Sequence, residues 1–365
     1  MDNVLINSFR ECVNEHDIVF NLYYRCNEKN KWNIICSAMD WITVSIDGID
    51  PSSLIFENNN QASIRYMSFI MCIDILWESI QQLHRVIFNK KEIPFKSEKS
   101  IFKNNITPKN DNDYFKMIRA CFAAHPVNLN DHFTDSGIKE QRYASWSGGG
   151  YGHGDFSVIL YSNKIGEDDI FLDIYTEELM QFAKQRYQYL NVLINELNKQ
   201  KEEYLNSCRN KKIQKSDSIT EQISILIRES RERLNNDYYN YELQRLNIIF
   251  DTPISSPKNL AVVNRYRKAL TQKVNEIFQA LQDMTFEELE SEKIIDDSAP
   301  TSCRYAFSKL NDVIYGHGQA AMISISSFES ILGSIVNLNE TSSYYELYVV
   351  VLSGFFALNS HTSQS

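Results

Sequence analysis

The segment Arg119-Ala-Cys-Phe-Ala-Ala-His125 sets a guanidinium six residues ahead of an imidazole. An imidazole titrates near neutral pH and can take up or release a proton during a reaction. A guanidinium is a permanent, fork-shaped cation that can stabilise negative charge as it builds on a phosphate. Other chemical signatures are missing. There is no GxxxxGK followed by Ser or Thr, no GxSxG, no HExxH and no glycine fingerprint between a strand and a helix, which removes several large enzyme classes. The run Gly148, Gly149, Gly150, Gly152 and Gly154 lacks the lysine and following helix of a phosphate cradle and reads as a flexible connection. His125, His132 and His153 fall within thirty residues of one another, but no carboxylate or Cys stands at ligand spacing, so no metal or cofactor is expected. His132, Arg142 and His153 remain auxiliary site candidates, or ordinary surface.

A second feature is charge. Arg85, Lys90, Lys91, Lys96, Lys99, Lys103 and Lys109 stand against only Glu92 and Glu98, which suits either a solvated polar loop or a local site for nucleic acid. The chain as a whole carries a net charge of -10, which disfavours indiscriminate nucleic-acid binding across its surface.

The elements that must position these groups are mostly helical. Phe69, Cys72, Ile73, Leu76, Ile80, Leu83 and Ile87 recur at three- and four-residue steps and predict a long amphipathic helix. Ahead of it, 31–46 reads as a buried helix closed by Gly48 and Pro51, and residues near 4–25 as another. Residues 113–125 form a helix turning Phe115, Ile118 and Phe122 towards the core, with Asp111 and Asp113 at its positive end and Pro126 limiting it. Segments 156–161 and 170–175 are β-branched and aromatic around Gly166, predicting a β-hairpin over 156–175. Leu179 to Leu197 marks one long helix. Beyond a polar stretch at 207–216, a capping box of Ser218 with Glu221 opens a second helical region, and Thr285 with Glu288 offers another box.

With 365 residues, 43% hydrophobic and 23% charged, the chain has ample material for a core, and its length suggests two domains, 1–215 and 216–365. Only 12 Gly and 7 Pro argue against an all-β fold, leaving a mainly α protein with an inserted hairpin. Seven Cys without a CxxC pair fit a reducing cytoplasm. The acidic N-terminus does not read as a signal peptide, and the apolar 344–358 segment, interrupted by Glu346, reads as a buried helix rather than a membrane span.

The Arg119 to His125 segment, set between long helices, resembles the R-x(4–6)-H motif of the HEPN superfamily, over about residues 30–210. The chain departs from the family's pattern with Ala120 directly after the Arg, Val127 shortly after the His and a hairpin inserted into the bundle. The resemblance implies a helical bundle and a metal-independent endoribonuclease acting in a toxin or phage-defence setting. RNA is then the partner, a homodimer the expected state, and an antitoxin or other protein a further partner. Arg119 and His125 become catalytic, and Arg85, Lys90, Lys91, Lys96, Lys99 and Lys103 RNA-binding. Geometry adds a restriction, because six residues of ideal helix turn the second side chain by about 120° and raise it by about 9 Å. Either His125 leaves the helix before Pro126, or a second copy completes the site. Two other readings stay open: Arg119 as a surface cation with His125 capping the helix, and a non-catalytic dimerisation and interaction module.

Overall fold

The computed structural model describes residues 1–24, 26, 28–127, 129–130, 141–146, 152–234, 237–285, 294–317 and 323–362. The fold is mainly helical, with one small antiparallel sheet. The chain divides into two compact units, Met1–Glu202 and Glu203–Ser365, so the boundary falls ahead of the polar 207–216 stretch.

The first unit opens with α1 (Val4–Asn14), α2 (Ile18–Tyr24), α3 (Trp32–Gly48) and α4 (Asn59–Phe88). The stripe read in the sequence is the buried face of α4: Phe69, Ile73, Leu76, Ile80, Leu83 and Ile87 are all withdrawn from solvent. Asn58 Oδ1 accepts from Gln61 N at one end of α4, and Asn89, left-handed at φ 52°, ends it. A loop over 89–110 leads into α5 (Asp111–Arg119), which continues as a single π turn over Ala120–Ala124. Phe115, Ile118 and Phe122 are buried as the spacing predicts, and Phe115 stacks on Phe182 with ring centroids 4.5 Å apart.

Four strands follow: β1 (Leu129–Asn130), β2 (Gln141–Ser145), β3 (Phe156–Ser162) and β4 (Ile170–Ile174). They form one antiparallel sheet in chain order. The expected hairpin is β3–β4; β1 and β2 extend it. Period-two alternation turns Val158, Leu160, Leu172 and Ile174 into the core. The expected single helix after the sheet is instead α6 (Thr176–Gln188) and α7 (Leu190–Asn210), interrupted at Tyr189. That residue's hydroxyl meets His84 Nδ1 at 2.9 Å and its ring lies against Phe95.

Arg186 on α6 is fully buried. Its guanidinium lies over the rings of Phe182, Phe95 and Trp77, at 3.6, 4.9 and 5.3 Å, and donates to Gln185 and to Asn112 Oδ1 at 2.8 Å. Burial pushes its pKa down to about 10, against the pull of Glu98 and Asp111, so it stays charged at neutral pH.

The second unit contains α8 (Ile219–Arg233), α9 (Asp237–Asp251), α10 (Pro257–Asp283), α11 (Arg304–Ile314), α12 (Ile325–Leu332) and α13 (Tyr344–Thr362). Ser218 caps α8 by accepting from Glu221 N, as the capping box predicts, whereas Glu288 of the second box lies outside the described residues. The apolar terminal segment is a core helix: Tyr348 to Leu352 are fully buried. Buried Glu346 accepts from Ser255 N at 2.6 Å and Ser342 N at 2.7 Å, which removes the cost of placing a carboxylate there. Among the described residues no helix is long and apolar enough to cross a membrane. On α9, Arg245 is buried with Glu242 at 2.8 Å, Tyr348 Oη at 3.0 Å and Asp297 at 3.4 Å.

Candidate functional site

Arg119 ends α5 and turns towards α4, where its Nη1 donates to both carboxylate oxygens of Asp74 at 3.0 and 3.1 Å. The pair is partly exposed, with side chains 35% and 19% accessible, so the ion pair orients the guanidinium more than it stabilises the fold. Nε is buried without a hydrogen-bond partner. The edge left for an incoming anion is therefore Nη2.

The π turn resolves how the helix ends. His125 N donates to Ala120 O at 3.0 Å, a five-residue step, and the His125 backbone then departs from helix at φ -142°, ψ 44°. A π turn holds one more residue than an α turn and often marks a functional site. Here it carries His125 out of the helix before Pro126, one of the two outcomes that the spacing allowed. The imidazole is exposed. The chain next meets the sheet, because Ala144 N donates to Pro126 O at 2.7 Å. This fixes the residue after His125 against β2. No hydrogen bond joins the Arg119 and His125 side chains. Cys121, the nucleophilic side chain between them, is pushed up to about 12 by burial and stays a thiol.

The basic residues divide. Lys91 and Lys96 line an open depression together with Ser97, Asn110, Asn112 and Lys116, with Glu92 and Asp113 also on its wall. Lys116 was missed in the sequence, although its three-residue spacing to Arg119 puts both on one face of α5. Arg85 bonds within its own helix, to Gln81 at 3.3 Å and Glu78 at 3.5 Å. Lys90 lies over the Phe88 ring, Lys99 donates to Pro108 O, and Lys103 is exposed outside the depression. The loop bearing these lysines is pinned. The buried Asp111 carboxylate accepts from the backbone N of Ser100, Ile101 and Phe102 at 3.0, 3.1 and 3.3 Å.

Arg142 is not an auxiliary site residue. It is buried beneath the sheet and donates to Leu160 O at 3.2 Å and Asp168 O at 3.1 Å, tying β2 to the β3–β4 turn. His132, like Gly148 to Gly150, lies outside the described residues. His153 is exposed, and its backbone N donates to Asp173 Oδ2 at 3.2 Å. The neighbouring Gly152 has a packing reason: a Cβ there would meet Ser157 Oγ at 1.9 Å.

No known family model matches this chain, and no curated protein or solved structure matches it.

Proposed function

We propose that the first unit is a HEPN-like module that cleaves RNA without a metal ion, with His125 moving protons and Arg119 stabilising charge on the phosphate. The observation that carries this reading is the π turn, which frees His125 from the helix and leaves its ring exposed one turn beyond a partly exposed arginine. Lys116, on the same helix as Arg119, and the loop lysines Lys91 and Lys96 beside it in the depression would hold the RNA backbone. Asp74 occupies one nitrogen of Arg119, so phosphate binds through Nη2 or displaces the carboxylate. A second copy would bring another Arg119 and His125 to the reaction, and a reducing cytoplasm suits the free cysteines.

The competing reading, a non-catalytic dimerisation and interaction module, draws on the same ion pair, which already gives Arg119 a partner. Purified wild-type, His125→Ala and Arg119→Ala proteins, assayed on RNA with and without chelator, decide between them. His125→Ala should lower the cleavage rate by about 10²–10⁴ and leave the melting temperature nearly unchanged. Chelator should have little effect. Full activity in either folded variant would remove the proposed site.

A further inference from the structure

The sheet carries a second surface that has none of the residues assigned to RNA chemistry. Its register pairs Tyr143 with Tyr161 and Ile159 with Phe171, and alternation turns all four away from the buried face. Tyr143, Tyr161 and Phe171 are 38–43% exposed, well above what an aromatic on a covered face would show. At the hairpin tip Ile165 is fully exposed, and beside it Glu167, Asp168 and Asp169 present three carboxylates without an ion-pair partner among the described residues, next to Lys164. β4 is an outer strand of the sheet, paired only with β3 among the described residues.

We infer that this face docks an extended, Lys- or Arg-bearing segment of a partner protein, added along β4. Charge selects the occupant. Phosphates of a nucleic acid would be repelled by the tip, and a second copy in a two-fold arrangement would set the same carboxylates against each other in a chain of net charge -10. A basic segment meets both features at once. Its backbone extends the ladder at the outer strand, its alternate side chains lie over Phe171 and Tyr161 as cations on rings, and its remaining charge meets the tip carboxylates.

The test uses the full chain and fluorescence anisotropy with three labelled probes: a short peptide with arginine at alternate positions, its glutamate counterpart, and a single-stranded RNA. Two variants disrupt the surface, Glu167→Gln/Asp168→Asn/Asp169→Asn and Tyr161→Ser/Phe171→Ser. A charge-matched control, Glu11→Gln/Asp47→Asn/Glu57→Gln, removes as many exposed carboxylates elsewhere. Circular dichroism confirms that each is folded. The arginine peptide should bind wild type and control alike, lose about tenfold in affinity with either surface variant, and weaken with salt. Four outcomes would overturn the proposal: no binding of the arginine peptide, equal losses in control and tip variants, RNA binding that falls with the aromatic variant, or self-association that the surface variants abolish.

Discussion

Arg186 and Arg245 are both buried cations, one in each unit, and the protein accommodates them in opposite ways. Arg186 is surrounded by three aromatic rings and two neutral amides, and burial lowers its pKa to about 10. For Arg245, burial works against the charge, but Tyr348 and Glu242 outweigh it and raise the pKa. The first arrangement spreads the cation over ring faces. The second compensates it with an anion. They differ most in what touches the arginine and remains when it is removed: the amides of Gln185 and Asn112 in one unit, with Glu98 and Asp111 acting without an ion pair, and the directly paired, buried carboxylate of Glu242 in the other.

The largest effect should follow from Arg245→Met. With Glu242 left buried and unpaired, stability should drop by about 3–5 kcal/mol in urea unfolding. Arg186→Met should cost less, about 1–3 kcal/mol, because it strips no carboxylate of a direct ion-pair partner while the methionine fills the aromatic cage. Equal losses would break the comparison. A finer test adds Glu242→Leu to the Arg245→Met protein. If compensation of charge is what matters, the double variant should return to within about 2 kcal/mol of wild type; a double variant as unstable as the single one would show that the surrounding tyrosines carry the stability instead.

The smallest effect concerns a neutral alternative to both arginines. His84 is buried beside Tyr189, and burial lowers its pKa below the ordinary 6.5. The unfolded chain therefore takes up a proton as pH falls below 6.5 while the folded chain resists, so stability declines on the acid side until the folded imidazole also titrates. His84→Gln should flatten that part of the profile. An unchanged acid-side slope in the variant would mean that His84 is not its source.

Much of this was legible from local pattern. The α4 stripe, the core face of Phe115, Ile118 and Phe122, and the β3–β4 hairpin all follow from three- to four-residue or two-residue periodicity. What escaped depends on contacts distant in sequence or on geometry without a residue signature. Asp74 meets Arg119 across 45 residues, and nothing local announces the pair. Arg142 reads as a surface cation because its type is polar, yet it reaches carbonyls that only the folded sheet brings together. β2, with the sequence QRYAS, lacks the β-branched content that exposed the hairpin, and it forms because β3 offers a partner edge. The π turn has no sequence code at all: Ala-Cys-Phe-Ala-Ala would continue an α-helix as readily. For the candidate site, residue types and the exit of His125 were readable, whereas Lys116 and the orientation of Arg119 were not.

The clasp of Asp111 on residues 100–102 has a consequence for proteases. A lysine-rich surface loop is ordinarily the first place a trypsin-like enzyme cuts, because cleavage needs several residues drawn out into its groove. Here the backbone at Ser100, Ile101 and Phe102 is held by one buried carboxylate, and the side chains of Ile101 and Phe102 are buried, so drawing out the strand means first emptying part of the core. The loop thus carries positive charge at the surface while the peptide bonds between Lys99 and Lys103 are kept out of reach.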